Sequence, residues 1–254
     1  MPPAVVLAGG APEPRLAPGV PNKAFLRLGG MTLVERVVAA ARGCSAIERV
    51  VVVGPAPALR ALLGTGVEVV AGDGGMMDNV AAALRALPDA PAVLAIAADL
   101  PLLTAEALAG FLARCEGDYS LFYPIVPQAA VARRYPGARK TYVRVADGVF
   151  TGGSVLLFDP SALERIRGFV ERVMAARKKP WLLAQLFGWG TVLRFASGAL
   201  SIAEMEARAR EVTGLRARAV IVDDPSLALD VDAERPENLA VVRAVLEGGR
   251  PVEP

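Results

Sequence analysis

Two rhythms of apolar and polar positions run along this chain. Short continuous apolar runs at Val5–Leu7, Val50–Val53 and Val93–Ala97 read as buried strands, and Val67–Val70, interrupted by Glu68, as a further strand. Between them, apolar residues recur every three or four positions, predicting helices over Leu33–Ala41, Pro57–Leu63, Asn79–Leu87 and Ala105–Arg114. Strand and helix alternating through short connections predict a three-layer α/β fold, with a mostly parallel central sheet and helices on both faces. In such a sheet a ligand belongs at the carboxyl edge of the strands, near the point where strand order reverses.

Beyond Asp118 the rhythm changes. Ser120–Val126, Thr141–Val145 and Val155–Phe158 are strand candidates, Asp147-Gly148 is a turn signal between the last two, and mixed or antiparallel pairing is expected. From Ser161 to Glu211 the chain reads as a helical excursion, with Lys178-Lys179-Pro180 breaking one helix. Strand character resumes at Val220–Val222 and Leu229–Val231, and Pro236–Leu246 closes as a helix. With neither an internal repeat nor a low-complexity linker, residues 1–254 read as a single domain. Residues 161–214 form its helical insertion and residues 248–254 a flexible tail.

Composition narrows the function classes. The hydrophobic fraction is 54%, with a mean hydropathy of +0.41, yet no uninterrupted apolar run is long enough to span a bilayer. No basic segment precedes an apolar one at the amino terminus, so a cytoplasmic protein without a membrane partner is expected. A formal net charge of +2 is too small to point to nucleic acid. Histidine is absent, which excludes Ser-His-Asp triads, His-ligated zinc and imidazole bases. Cys44 and Cys115 stand far apart outside any C-x-x-C pattern and read as small buried apolar residues in a reducing compartment.

Candidate chemistry gathers at the predicted strand ends. The run Val5-Val6-Leu7-Ala8-Gly9-Gly10 ends in a glycine pair that lets backbone approach a ligand, and Asn22-Lys23-Ala24 then returns a cation towards the turn. Strand, glycine turn, lysine and helix suit an anionic ligand such as a phosphate, although ordinary α/β turns share the pattern. Asp99 closes the apolar strand before Pro101, either as a hard oxygen ligand for Mg²⁺ or as a cap of the next helix, a role Thr104 fills better. Asp230 and Asp232 alternate about Val231 and so share one face of the expected strand, as metal ligands or as solvated acids. In Gly72–Val80, Asn79 offers both donors and an acceptor to a base or ribose, and a helix cap by Asp78 or Asn79 is the alternative. Gly152 and Gly153 open a strand on which a substrate can lie, and Arg139-Lys140 beside it is either a phosphate contact or a solvated basic loop.

Leu7-Ala8-Gly9-Gly10, Arg15-Leu16, Asn22-Lys23-Ala24-Phe25 and Gly29-Gly30-Met31-Thr32-Leu33-Val34-Glu35-Arg36 together resemble the opening motif of the MobA-like nucleotidyltransferases, within the glycosyltransferase-A-like group. Here four residues separate Gly10 from Arg15 and seven separate Arg15 from Lys23, a longer loop than the usual form. The resemblance implies a Rossmann-like nucleotidyltransferase fold and transfer of NMP from an NTP to a phosphate or hydroxyl acceptor, with release of pyrophosphate. It implies catalytic roles for Lys23, Arg15 and Asp99, and nucleotide contacts from Leu7, Ala8, Gly9, Gly10, Lys23, Asn79 and Asp99. It further implies acceptor contacts from Lys140, Gly152 and Gly153, and Mg²⁺ held by Asp99 and Asp232. The partners implied are an NTP and a small-molecule acceptor, with homo-oligomer formation left open. Three rivals stand beside this reading: a catalytically silent nucleotide-binding regulator, a cytidylyltransferase or sugar-phosphate nucleotidylyltransferase with another acceptor, and an NAD(P)-dependent oxidoreductase. The last lacks a G-x-G-x-x-G fingerprint.

Overall fold

Apolar runs with no polar alternation need cover on both faces, and the sheet supplies it. The computed structural model describes residues 1–72, 74–176, 182 and 187–248. β1 (Ala4–Leu7) leads through a long loop to the ribbon of β2 (Arg27–Leu28) and β3 (Met31–Thr32), then α1 (Leu33–Gly43). Next come β4 (Val50–Gly54), α2 (Ala56–Leu63), β5 (Glu68–Ala71), α3 (Met76–Leu84), β6 (Val93–Ala97) and α4 (Ala105–Leu112). The second half runs β7 (Leu121–Pro127), α5 (Gln128–Arg134), β8 (Val143–Val145), β9 (Gly148–Gly152), β10 (Val155–Phe158) and α6 (Leu163–Ala176). It closes with α7 (Trp189–Ala196), α8 (Ile202–Thr213), β11 (Ala217–Ile221) and α9 (Pro236–Leu246).

The main sheet has the order β5-β4-β1-β6-β10-β7-β9-β8, with β11 added parallel to β7. Only β9 and β10 run against the other strands, so the sheet is mostly parallel, with its antiparallel part where the sequence rhythm changes. Val5, Val51, Val53, Val93 and Ala95 face α3 and α6, while Ala4, Val6, Val52, Leu94 and Ile96 face α1, α2, α4 and α5. Side chains alternate along each strand, so both sets are buried and the runs read as continuous. The Gly29-Gly30 pair makes the tight β2–β3 turn with φ of 55° and 86°, left-handed values that glycine adopts without strain. Thr32 and Glu35 then cap α1 reciprocally.

Four local expectations change. Leu229–Val231 is not a strand. Leu229 and Val231 are buried in a small third core with Leu28, Leu33, Leu102, Tyr135 and Val242, which reproduces strand alternation without a ladder. β11, beginning at Ala217 rather than Val220, takes the place beside β7. α3 begins at Met76 rather than Asn79, so Asn79 lies inside the helix and not at its cap. The Asp147-Gly148 turn joins β8 to β9, a strand the periodicity passed over, and α5 follows Pro127 on the helix propensity of Gln, Ala and Arg. The Lys178-Lys179-Pro180 break and the tail beyond Gly248 lie outside the described residues.

Both cysteines are free: Cys44 is buried, and Cys115 donates to the Phe111 carbonyl at 3.3 Å, its thiol pushed up to about 12 by burial. The native protein should therefore resist Ellman's reagent near pH ~8, where an unperturbed thiol reacts readily. Rapid labelling of Cys115 in the absence of denaturant would contradict that burial. A second outcome concerns Gly54, where a Cβ would stand 2.7 Å from the Ala8 carbonyl oxygen and 3.0 Å from the Gly9 nitrogen. Backbone cannot step aside as a flexible side chain does, so Gly54→Ala should cost about 1–3 kcal/mol, read as a lowered urea midpoint. An unchanged midpoint would show that the β1 loop is free to move.

Candidate active site

The register of the parallel strands builds the site. Leu7 stands opposite Val53 on one side and Ala97 on the other, so Ala8-Gly9, Gly54 and Ala98-Asp99 leave the sheet side by side. Two further bonds continue the ladder, Ala8 N–H to the Val53 carbonyl at 2.8 Å and Ala98 N–H to the Leu7 carbonyl at 3.2 Å. Gly10 turns away with φ 127°, a value that favours glycine.

Lys23 is brought back to this edge by Asn22. The Asn22 side chain is 2% exposed; its Nδ2 donates to the Ala8 carbonyl at 2.9 Å and its Oδ1 accepts from Ala24 N–H at 2.9 Å. One buried amide therefore caps the short 3₁₀ turn at Lys23–Phe25 and pins it to the end of β1. Lys23 Nζ then lies 2.8 Å from Asp99 Oδ2 and 3.8 Å from Glu13 Oε1. Burial works against the Lys23 ammonium, but Asp99, aided by Glu13 and Asp232, holds its pKa above the ordinary value. Burial raises the Asp99 carboxyl, opposed by Lys23 and reinforced by the charge of Asp230. Asp99 Oδ1 is buried without any hydrogen-bond partner. Arg15 is exposed on the loop, and the turn around it is made by Glu13, whose carbonyl accepts from Leu16 N–H at 3.0 Å and Ala17 N–H at 2.8 Å.

The second acidic loop reaches Asp99 through backbone, with Val231 N–H donating to the Asp99 carbonyl at 3.0 Å. Asp232 caps its own turn, Oδ1 accepting from Glu234 N–H at 3.0 Å, and its charge is felt at Lys23. Asp230 accepts from Lys140 Nζ at 2.7 Å, and the Lys140 side chain is only 7% exposed. Lys140 is thus neither a solvated loop cation nor an open anion contact but half of a largely buried ion pair. Asn238, 0% exposed, locks the two loops together: Oδ1 accepts from Arg139 N–H at 2.7 Å, and Nδ2 donates to the Arg139 and Asp230 carbonyls at 3.1 and 3.2 Å.

Glycines at the site are fitted to neighbours within the chain. A Cβ at Gly9 or Gly72 would overlap the Asn79 amide, which is 3% exposed and donates to the Gly74 carbonyl at 3.2 Å. Asn79 accordingly lies beneath both glycine loops, its Oδ1 buried and without a partner. A Cβ at Gly152 would overlap the Tyr123 hydroxyl, and one at Gly153 would meet Pro124 Cγ at 2.8 Å and the Leu227 carbonyl at 2.9 Å. The clearance expected for an acceptor at Gly153 is therefore occupied by the protein itself. Tyr123 escaped the sequence reading; it stands at the edge of the site, 39% exposed, its hydroxyl pKa raised by burial and by Asp230. The outward positions of β7 were the one signal that marked it.

A glycine loop, a lysine and an aspartate converging at one edge of a mostly parallel sheet are the makings of an α/β nucleotidyltransferase. The chain belongs to the MobA-like NTP transferase family, whose domain matches residues 4–186. A hypothetical transferase from Thermus thermophilus is 36% identical, with a TM-score of 0.80 over 94% of this chain and 100% of that one. Two more distant structures share the fold. A CMP:2-keto-3-deoxy-manno-octonic acid synthetase in complex with CTP has 14% identity and a TM-score of 0.60, over 97% and 98% of the two chains. A Mycobacterium tuberculosis H37Rv protein in complex with manganese has 18% identity and a TM-score of 0.53, over 95% and 97%. No curated protein is recognisably related to the chain by sequence.

Asn22→Ala would leave the Ala8 carbonyl and Ala24 N–H without their partner in a buried site. It should destabilise the fold by about 1–3 kcal/mol in chemical denaturation. A neutral effect would show that the Lys23 turn is held by other contacts.

Proposed function

We propose that this protein is a Mg²⁺-dependent nucleotidyltransferase that moves NMP from an NTP to a phosphate- or hydroxyl-bearing acceptor. The observation that carries the reading is Asp99: a carboxylate at a strand end, one oxygen on Lys23 and the other buried without a partner. An orphaned hard oxygen next to a lysine and a glycine turn suits a cation that arrives with phosphate. Among the described residues no three His, Cys, Asp or Glu side chains form a ready cage. Mg²⁺ takes one or two carboxylates and completes its shell with phosphate oxygens and water. Asp99 and Asp232 would hold it, and when bound it would offset the triphosphate charge.

In this reading the acceptor oxygen attacks the α-phosphorus in line, its new P–O bond replacing the α–β bridge, and pyrophosphate carries away the charge. Lys23 exchanges part of its contact with Glu13 and Asp99 for triphosphate oxygens, joined by Arg15 from the loop and by backbone around Gly9 and Gly10. Leu7 borders the base, and Asn79 sets the shape of that floor from below. Ala8, expected to touch the base, is fully buried with both backbone groups bonded, to Val53 and Asn22, and only supports the turn. Acceptor binding falls to the rim at partly exposed Tyr123 and Asp230 rather than to the filled space at Gly152 and Gly153, and Lys140 acts by holding Asp230. Complexes of the two distant structures with CTP and with manganese are consistent with an NTP and a divalent metal here. The base and acceptor specificity, including a cytidylyl or sugar-phosphate variant, follow from the same site. One feature favours a nucleotide-binding regulator instead: the long loop carries Pro12 and Pro14, which have no N–H to give a phosphate.

Pyrophosphate release separates the two. The four NTPs with Mg²⁺ would first be ranked by thermal shift, then tested with phosphate and hydroxyl acceptors. Turnover should require the metal and vanish in Asp99→Asn with the fold intact. Lys23→Ala removes a charge-assisted contact of about 1.5–3 kcal/mol and should lower affinity or turnover at least about tenfold. Tight NTP binding with no pyrophosphate from any acceptor would establish the regulator.

A further inference from the structure

The loop between β1 and Lys23 sets an acid against the one lysine of the candidate triphosphate edge. Glu13 Oε1 lies 3.8 Å from Lys23 Nζ, near enough for attraction but beyond hydrogen-bond reach. The loop holds this acid in place. Pro12 and Pro14 restrict the backbone on either side of Glu13. Its carbonyl accepts from the Leu16 and Ala17 N–H groups at 3.0 and 2.8 Å. Ala17 is buried and Leu16 packs against the third core, so the turn is moored to the body of the protein. The Glu13 side chain stays 31% exposed, which leaves it room to swing while the turn stands still.

Charge around Lys23 is lopsided. Asp99 Oδ2 lies 2.8 Å from the same ammonium, and the charge of Asp232 is felt there too. Asp230 is answered by Lys140 at 2.7 Å, whereas Glu13, Asp99 and Asp232 share Lys23 between them. A site that only cradles phosphate gains nothing from a carboxylate beside its lysine. A metal-free polyphosphate would have to push Glu13 off Lys23 and then face like charges that nothing offsets.

We propose that Glu13 is a specificity-determining residue: it competes with the polyphosphate for Lys23, so that the site takes polyphosphates arriving with a divalent cation and rejects metal-free ones. The inference rests on the nucleotidyltransferase reading and adds a selection step to it. When a cation offsets part of the acidic charge, the polyphosphate takes Lys23 and Glu13 turns out to solvent. Without the cation, repulsion from the three carboxylates outweighs the single ammonium, and Glu13 stays in place. Discrimination of this kind comes from a repulsive element built against the wrong ligand, not from a further contact to the right one. Metal-free NTP held on Lys23 would block the site without reacting, so its exclusion keeps the edge open for the reactive complex.

Inorganic tripolyphosphate separates this contact from base recognition. Its binding to the full chain would be measured by calorimetry in EDTA and in Mg²⁺, for the unaltered protein, Glu13→Gln and Glu13→Ala, alongside the four NTPs in Mg²⁺. The unaltered protein should bind the Mg²⁺ complex at least about tenfold tighter than the metal-free anion. Both variants should bind the metal-free anion about tenfold tighter than the unaltered protein does, and that gain should fade as salt is raised. Metal-free binding left unchanged or weakened in both variants, while the unaltered protein binds an NTP with Mg²⁺, would overturn the role of Glu13 alone. A gain indifferent to salt would do the same, since it would mark a steric effect. Loss of the Mg²⁺ complex in both variants would make Glu13 a metal ligand and also overturn it. An unaltered protein that binds no NTP with Mg²⁺ would overturn the nucleotidyltransferase reading and this inference with it.

Discussion

The contact between Lys23 and Asp99 is the constraint around which the rest of the site is arranged. Placing a carboxylate at the buried end of β6 costs desolvation energy, and a single ammonium answers only one of its two oxygens. The chain accepts that incomplete pairing at the one sheet edge where three parallel strands stop in register. Lys23 arrives from a loop with little regular structure, so its position depends on Asn22 bridging to Ala8. Strand register therefore sets where the acid is, and one buried amide sets where the base meets it.

Close packing of backbone does the remaining work. Gly54 lets the Ala8–Gly9 backbone lie directly against β4, and Gly9 with Gly72 leaves room for the Asn79 amide between them. On the other flank, Asn238 ties Arg139 to Asp230, while the Lys140–Asp230 pair compensates charge beside Asp99. Asn22 and Asn238 thus play equivalent parts: each satisfies backbone groups of segments that share no ladder, where any unpaired amide or carbonyl would be costly. The result is a tied perimeter with exposed Arg15 and largely buried Lys23 on its inner loop.

Much of this was legible in the sequence, and what was not has physical reasons. Continuous Val and Ala runs announced strands covered on both sides, and a carboxylate followed by Pro101 announced a strand end, so the sheet and Asp99 followed from local pattern. Leu229–Val231 misled because alternate burial does not require a β ladder; a loop over a small core produces the same spacing. Asn22 and Asn238 carry their weight through partners 14 and 99 residues away, which local periodicity does not reveal. Lys140 illustrates the same limit: its residue type fits an open phosphate contact equally well, and only the fold reveals Asp230 across from it.

The central claim is that the edge formed by Gly9, Gly10, Lys23 and Asp99 holds a metal–triphosphate. Its most direct test is a crystal structure of the full chain with Mg²⁺ and a non-hydrolysable NTP analogue. The account predicts triphosphate oxygens on Lys23 Nζ and on backbone N–H groups after β1, with the ion on the presently unpartnered Asp99 Oδ1. An analogue bound away from this edge, or bound here with Asp99 still closed on Lys23 and no metal between them, would contradict it.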